Sequence, residues 1–273
     1  MKRLLTLALV ILLVVLLPAC SKKETVNLPL TIDERPHSEF IGKRFAVLDG
    51  TGYETIVDSV FKSKDYIIFE SNDDGVALLK NGAVDALIGD YTAAIPWISE
   101  IGPETFGLSV VPAELASFDY AAMAKNTANA EEFNAFLAGI KADGTLDDMS
   151  KRWVDEYDKN NIPKISDVFT PKNGTANGEI IVGINYECAP FDMPDKDGNP
   201  TGFEVELMTR FADSLGKAVN FEVVSFSDMM PYYTSGQPDY ITAMCYEISD
   251  SEASGIIFTD TYYEALLAVI YVK

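Results

Sequence analysis

Apolar positions follow two alternating spacings along this chain. Arg44–Leu48 and Tyr66–Phe69 are short runs rich in apolar and aromatic residues, and read as strands. Between them Tyr53, Ile56, Val57, Val60 and Phe61 fall on one helical face. Asp73 or Asp74 is placed to cap a short helix carrying Val76, Leu78 and Leu79. Val84–Ile88 reads as a strand, with a helix following from Thr92. Tyr120–Ala124 reads as another strand. Phe133, Phe136, Leu137 and Ile140 mark a helix, and Leu146, Met149 and Trp153 one more.

Residues 158–177 break the rhythm with closely spaced Asn, Pro and Gly, and read as a linker. A second series then begins. Ile180–Asn185 is a strand, and Phe203, Leu207, Phe211 and Leu215 recur every four residues until Gly216 stops their helix. Asn220–Val224, Tyr240–Met244 and Leu266–Val272 read as further strands. Strands alternating with helices imply parallel α/β sheets, and two such series imply two lobes. Ligands of such sheets bind outside the carboxyl ends of strands, often between domains.

The start of the chain follows neither spacing. Met1-Lys2-Arg3 is positive, Leu4 to Leu17 is apolar apart from Thr6, and Pro18-Ala19-Cys20 follows. The apolar run is shorter than the roughly 18–20 residues that cross a bilayer. Residues 1–20 therefore read as a signal peptide. A Cys directly after a small residue resembles a bacterial lipobox, which implies lipidation at Cys20 and a membrane-anchored, extracytoplasmic protein. Residues 21–41 read as a polar tether.

Composition narrows the function classes. At 48% hydrophobic residues the chain is not disordered as a whole. A net charge of −21 argues against a nucleic-acid partner, because phosphate contact needs clustered Lys and Arg. The single histidine, His37, lies in the tether. A Ser–His–Asp triad and a metal site are thereby disfavoured, and no cofactor or catalytic residue is expected.

Several short runs, in order, resemble the bacterial extracellular solute-binding proteins of family 3, which serve amino-acid ABC transporters. Residues 178–273 resemble that family's first lobe. The runs are Ile181-Val182-Gly183-Ile184, Ala189-Pro190-Phe191, Asp197-Gly198-Asn199-Pro200-Thr201-Gly202-Phe203-Glu204-Val205-Glu206-Leu207, Ser235-Gly236-Gln237-Pro238-Asp239 and Phe258-Thr259-Asp260-Thr261-Tyr262-Tyr263. Residues 42–157 resemble its second half through Gly42-Lys43-Arg44, Gly50-Thr51, Leu79-Lys80-Asn81-Gly82, Val84-Asp85-Ala86, Asp90, Ala142-Asp143-Gly144-Thr145 and Lys151-Arg152-Trp153. The order is reversed relative to the family. The resemblance implies a two-lobed periplasmic-binding-protein type 2 α/β fold that is circularly permuted, or the derivative of a tandem protein. Residues 42–115 would form one lobe, residues 118–157 with 178–273 the other, and the strands near Tyr120–Ala124 and Leu266–Val272 would cross at the hinge.

By this resemblance the chain captures a small solute, an amino acid or an amine, between two lobes for an ABC transporter permease. A ligand sensor or partner-binding protein no longer used in transport is the alternative, and a dehydratase-like enzyme a more distant one. Gly50-Thr51 could hold an anion at a helix start. Asp90 matches the residue that holds the ligand ammonium, a charge-assisted contact, and could equally cap a helix. Tyr186, Phe191 and Phe226 follow strands and could pack on the ligand or in the core. Residues 245–252 depart from the family: in ungapped register Glu247 replaces a small residue, Ser249 keeps a hydroxyl and Glu252 replaces the Arg that grips the ligand carboxylate. No Arg follows Arg210. The resemblance sets Cys188 and Cys245 on neighbouring strands, where they form either a disulfide or two buried thiols.

Overall fold

The computed structural model describes residues 35–63, 65–243 and 255–273. It contains two α/β units, each built on its own sheet. The first begins with β1 (Phe45–Leu48), whose four residues are all buried. It continues through α1 (Glu54–Ser59), β2 (Tyr66–Phe69), α2 (Asn72–Lys80), β3 (Ala86–Asp90), α3 (Tyr91–Ile101) and β4 (Phe106–Val110). β1 runs parallel to both β2 and β3, as strands joined by helices do. The chain then passes through β5 (Ser117–Tyr120) and β6 (Met123–Ala124) into the second unit, where α4 (Thr127–Ala142) and α5 (Thr145–Ser150) follow.

The second sheet is built mainly from the other end of the chain. β7 (Glu179–Ile184) is followed by a hairpin of β8 (Met193–Pro194) and β9 (Pro200–Thr201), then α7 (Phe203–Ser214), β10 (Ala218–Val223), α8 (Phe226–Thr234), β11 (Tyr240–Ile241), β12 (Ile257–Phe258) and β13 (Tyr263–Val272). A short helix, α6 (Ile165–Val168), lies within the segment expected to be a plain linker.

The two sheets have one plan. The first runs β2-β1-β3-β13-β4 and the second β10-β7-β11-β6-β12. In each, the unit's own second, first and third strands lie side by side. A strand arriving antiparallel from the other unit comes next, and a last strand closes the edge. The arriving strands form the connection between units. Tyr263–Leu266 at the start of β13 pairs antiparallel with β5, and Leu267–Ile270 then pairs with β3. Thus the final strand, assigned by sequence to the 178–273 lobe, spends its second half in the sheet of residues 45–110.

Capping explains where helices start. Ser71, and not Asp73 or Asp74, caps α2 by accepting from the Asp74 N–H. The two aspartates sit in the first turn, at the positive end of the helix dipole. Asn126 caps α4, and Gly216, with φ of +65°, follows α7 as the helix-stop pattern requires.

The segment between α5 and β7 is pinned to the second unit. The Thr201 hydroxyl donates to the Pro163 carbonyl at 2.7 Å, and Lys164 pairs with Asp197. Buried Asp213 accepts from the Lys172 and Asn173 N–H groups at 2.8 Å each. Glu206 is fully buried on α7 and accepts from Arg152 at 2.7 Å, the Trp153 indole at 2.6 Å and Arg210 at 2.7 and 2.8 Å. Such a carboxylate is tolerated because every oxygen has charged or polar donors.

Candidate functional site

A cavity of about 810 Å³ opens between the two sheets. From the first unit it takes the residues just beyond β1, including Gly50 and Thr51, and the end of β3 at Asp90. From the second it takes Tyr186 and Glu187 beyond β7, Phe226 beyond β10 and Ala243 beyond β11. These are the carboxyl ends of parallel strands, where side chains and loop amides of α/β sheets converge.

At Gly50 the units approach closely. Its φ is +78°, and a Cβ there would lie 2.8 Å from the Phe226 carbonyl oxygen of the facing unit. Phe226 packs against hydrophobic residues of both units. The Thr51 hydroxyl turns back to donate to the Leu48 carbonyl at 2.7 Å. α1 starts only at Glu54, with no side-chain cap, so the Gly50-Thr51-Gly52 turn does not itself open a helix.

Asp90 is 3% exposed and does two things. Its Oδ1 caps α3, accepting from the Thr92 and Ala93 N–H groups at 2.9 and 3.2 Å. Asp90 lines the cavity, and its Oδ2 is buried without a hydrogen-bond partner among the described residues, as is the nearby Tyr120 hydroxyl. Burial drives the Asp90 pKa up to about 6. The Tyr120 hydroxyl, close by but short of hydrogen-bond geometry, and the helix amides pull it part of the way back. A buried carboxylate oxygen with no donor is costly, and a ligand N–H would satisfy it.

Glu187 faces α2 across the cleft. Its carboxyl is pushed up by partial burial first, then by Asp73 and Asp74 of the first unit. Like charges thus meet when the units close, an arrangement that a cation between them relieves. Tyr186 lines the wall and donates its hydroxyl to the Gly198 carbonyl at 3.2 Å. Phe191 is placed otherwise than as a ligand contact. It is 0% exposed, its ring meets Tyr120 and Tyr263 edge-on at 5.1 and 4.9 Å, and it is core. Cys188 is buried. Cys20, Cys245, Glu247, Ser249 and Glu252 lie outside the described residues.

The cavity also includes residues that pattern reading passed over: Trp97, Phe69, Tyr157, Lys159 and Phe258. Trp97 could have been found from its four-residue spacing after Ala93. Tyr157 and Lys159 border the linker and carry no local signal. Among the described residues no group of three His, Cys, Asp or Glu could hold a metal ion, and no helix is long and apolar enough to cross a membrane.

Residues 180–273 match the model of the bacterial extracellular solute-binding proteins, family 3. The chain is 29% identical over 92 residues to a probable histidine-binding protein of Neisseria gonorrhoeae, covering 34% of each chain. It is 27% identical over 115 residues to the ABC transporter arginine-binding protein 1 of Escherichia coli, covering 41% of this chain and 47% of that one. Among solved structures, the unliganded open L-cystine solute receptor of N. gonorrhoeae is 32% identical over 26% of this chain and 30% of that one, with a TM-score of 0.25. The chain therefore spans about a third and about half of the curated relatives it matches. Residues 180–273, which supply most of the second sheet and the strand β13 that enters the first, are thus the part of the chain that is similar to the bacterial extracellular solute-binding proteins, family 3.

Proposed function

We propose that this chain is a solute-binding protein that captures a small amine-bearing solute, an amino acid or a simple amine, between its two units and delivers it to an ABC transporter. The observation that carries this reading is that Asp90, which lines an 810 Å³ cavity, has a buried Oδ2 without a hydrogen-bond partner among the described residues. A protonated amine supplies the missing donors and the opposite charge. The acids Asp73 and Glu187, which line the cavity from opposite sides, favour the same sign of ligand. The names of the histidine- and arginine-binding relatives support it too.

The apolar stretch before Cys20 supports export and lipid anchoring outside the cytoplasm, near a permease. The shared sheet plan, with one strand exchanged in each direction, supports circular permutation of a two-lobed binding protein, with the ends joined through residues 158–177. Capture would then proceed by hinge closure about the paired strands β5 and β13.

The test is a thermal-shift screen of the chain against amino acids, polyamines, small peptides and cationic osmolytes. Cationic solutes should raise the melting temperature. Asn caps helices as well as Asp, so Asp90→Asn keeps the α3 cap while removing the charge and replacing the second oxygen by an amide donor. It should weaken amine binding about 10- to 100-fold, as expected for a lost charge-assisted hydrogen bond. Binding of amines that is indifferent to Asp90→Asn would refute this site, and no shift with any solute would refute solute capture.

A further inference from the structure

The cavity does not end at Asp90. It continues along one face of α3, where Ala93, Ala94, Trp97 and Ile101 recur at helical spacing. Its opposite wall is sheet: Leu87 of β3 and Ile270 of β13, which pair with one another. Leu87 lies three residues before Asp90 on the same strand, about 10 Å along it at the strand rise of roughly 3.3 Å per residue, and both line the one cavity. Phe69 closes the side nearest α2.

This wall is made of core. Leu87, Ile270 and Ala94 are almost fully buried and belong to the hydrophobic cluster that holds α2 and α3 on the first sheet. The cavity residues on α3 and on this part of the sheet, Ala93, Ala94, Trp97, Ile101, Leu87 and Ile270, are all uncharged, so water beside them would find few partners. Apolar cavities of this kind stay dry and take up apolar molecules. The site therefore has a polar head at Asp90 and an apolar channel leading away from it.

From this juxtaposition we infer that the ligand is an amphiphilic amine. Its ammonium sits on the Asp90 carboxylate, and an apolar chain or ring lies along α3 between Ala94, Trp97, Leu87 and Ile270. The inference rests on the reading of Asp90 as an ammonium site and adds the chemical class of the rest of the ligand. A small hydrophilic amino acid would leave the recess empty and forgo the contacts that burial of an apolar body provides.

Calorimetric titration of the chain with n-butylamine, n-hexylamine and n-octylamine tests it. Affinity should rise about fourfold with each methylene that enters the recess. In Ala94→Leu, whose longer side chain projects into that space, the gain per methylene should fall below about twofold, as expected for a filled recess. The wild-type series needs no variant, so a failure of Ala94→Leu to fold leaves the test intact. Butylamine bound as tightly as octylamine by the wild-type chain would overturn the apolar subsite while leaving the Asp90 site standing. No binding of any of the three would overturn both.

Discussion

The two units share a strand order but handle buried charge in opposite ways. In the second unit Glu206 sits fully buried under two arginines and an indole, and Asp213 accepts two linker amides. These two carboxylates are saturated, and what they hold is the chain itself: Arg152 and Trp153 after α5, and Lys172 and Asn173 before β7. In the first unit Asp90 is the buried carboxylate among the described residues, and one of its oxygens has no donor. The same residue class is structural where its partners are complete and available for a ligand where they are not. Burial alone does not separate the two cases; the count of donors does.

The comparison can be broken most forcefully at Glu206. Glu206→Ala removes the acceptor for Arg152, Arg210 and Trp153 and leaves cationic groups without their buried partner. The expected cost is about 3–5 kcal/mol, read as a lower urea midpoint. A loss under about 1 kcal/mol, the range of an exposed pair, would show that the network is no better than a surface salt bridge. Gly50→Ala is a milder and more selective test. Its Cβ would press on the Phe226 carbonyl across the cleft, not on anything within its own unit. About 1–2 kcal/mol of left-handed backbone strain is expected. Scattering should show a larger radius of gyration as the units are held apart. Gly202→Ala makes the contrast, because its Cβ would lie 2.0 Å from the Phe191 carbonyl inside the second unit. It should destabilise that unit without separating the two. Unchanged scattering from Gly50→Ala would mean that the units do not meet at this point in solution.

Most of the secondary structure was readable because buried strands and amphipathic helices carry their own periods: Tyr66–Phe69 and the helix from Phe203 are where the pattern puts them. β4 was not readable. Its run is interrupted by Gly107 and Ser109, and Gly107 is required by a distant partner, since a Cβ there would strike the Tyr271 ring at 2.6 Å. Nor could local pattern show that β13 changes sheets halfway along, which is a matter of pairing with β3 and β5. In the site, Asp90 was legible from its position at a strand end. Phe191 was not, because an aromatic after a strand reads the same whether it faces a cleft or, as here, Tyr120 and Tyr263. The α3 recess was half legible: spacing marks an apolar face, but not that the face stands partly clear of the sheet.

The finest distinction concerns Asp192, which belongs to the second unit yet has a raised pKa as Asp90 does. Its carboxyl is fully buried and lies against that of Glu204. Burial first, then the Glu204 charge, drive its pKa well above the usual carboxylate range, while the Asn185 and Ala243 amides pull it back. The fold therefore holds a proton that the unfolded chain releases above about pH 4. The folded form is favoured at low pH and loses this contribution as pH rises toward the folded-state value. Asp90 has the same sign, but its folded pKa of about 6 exhausts its share by pH 7. A fall in melting temperature that persists above pH 7 and vanishes in Asp192→Asn would belong to the Asp192–Glu204 pair. The variant should melt about 2–4 °C higher than the wild type at pH 8, the change that roughly 1 kcal/mol produces in a chain of this size. Below about pH 4, where Asp192 is protonated in the folded and unfolded chain alike, the two should differ little. An equal difference at both pH values would show that Asp192 is ionised throughout, and that the second unit satisfies its buried acids by a route other than a shared proton.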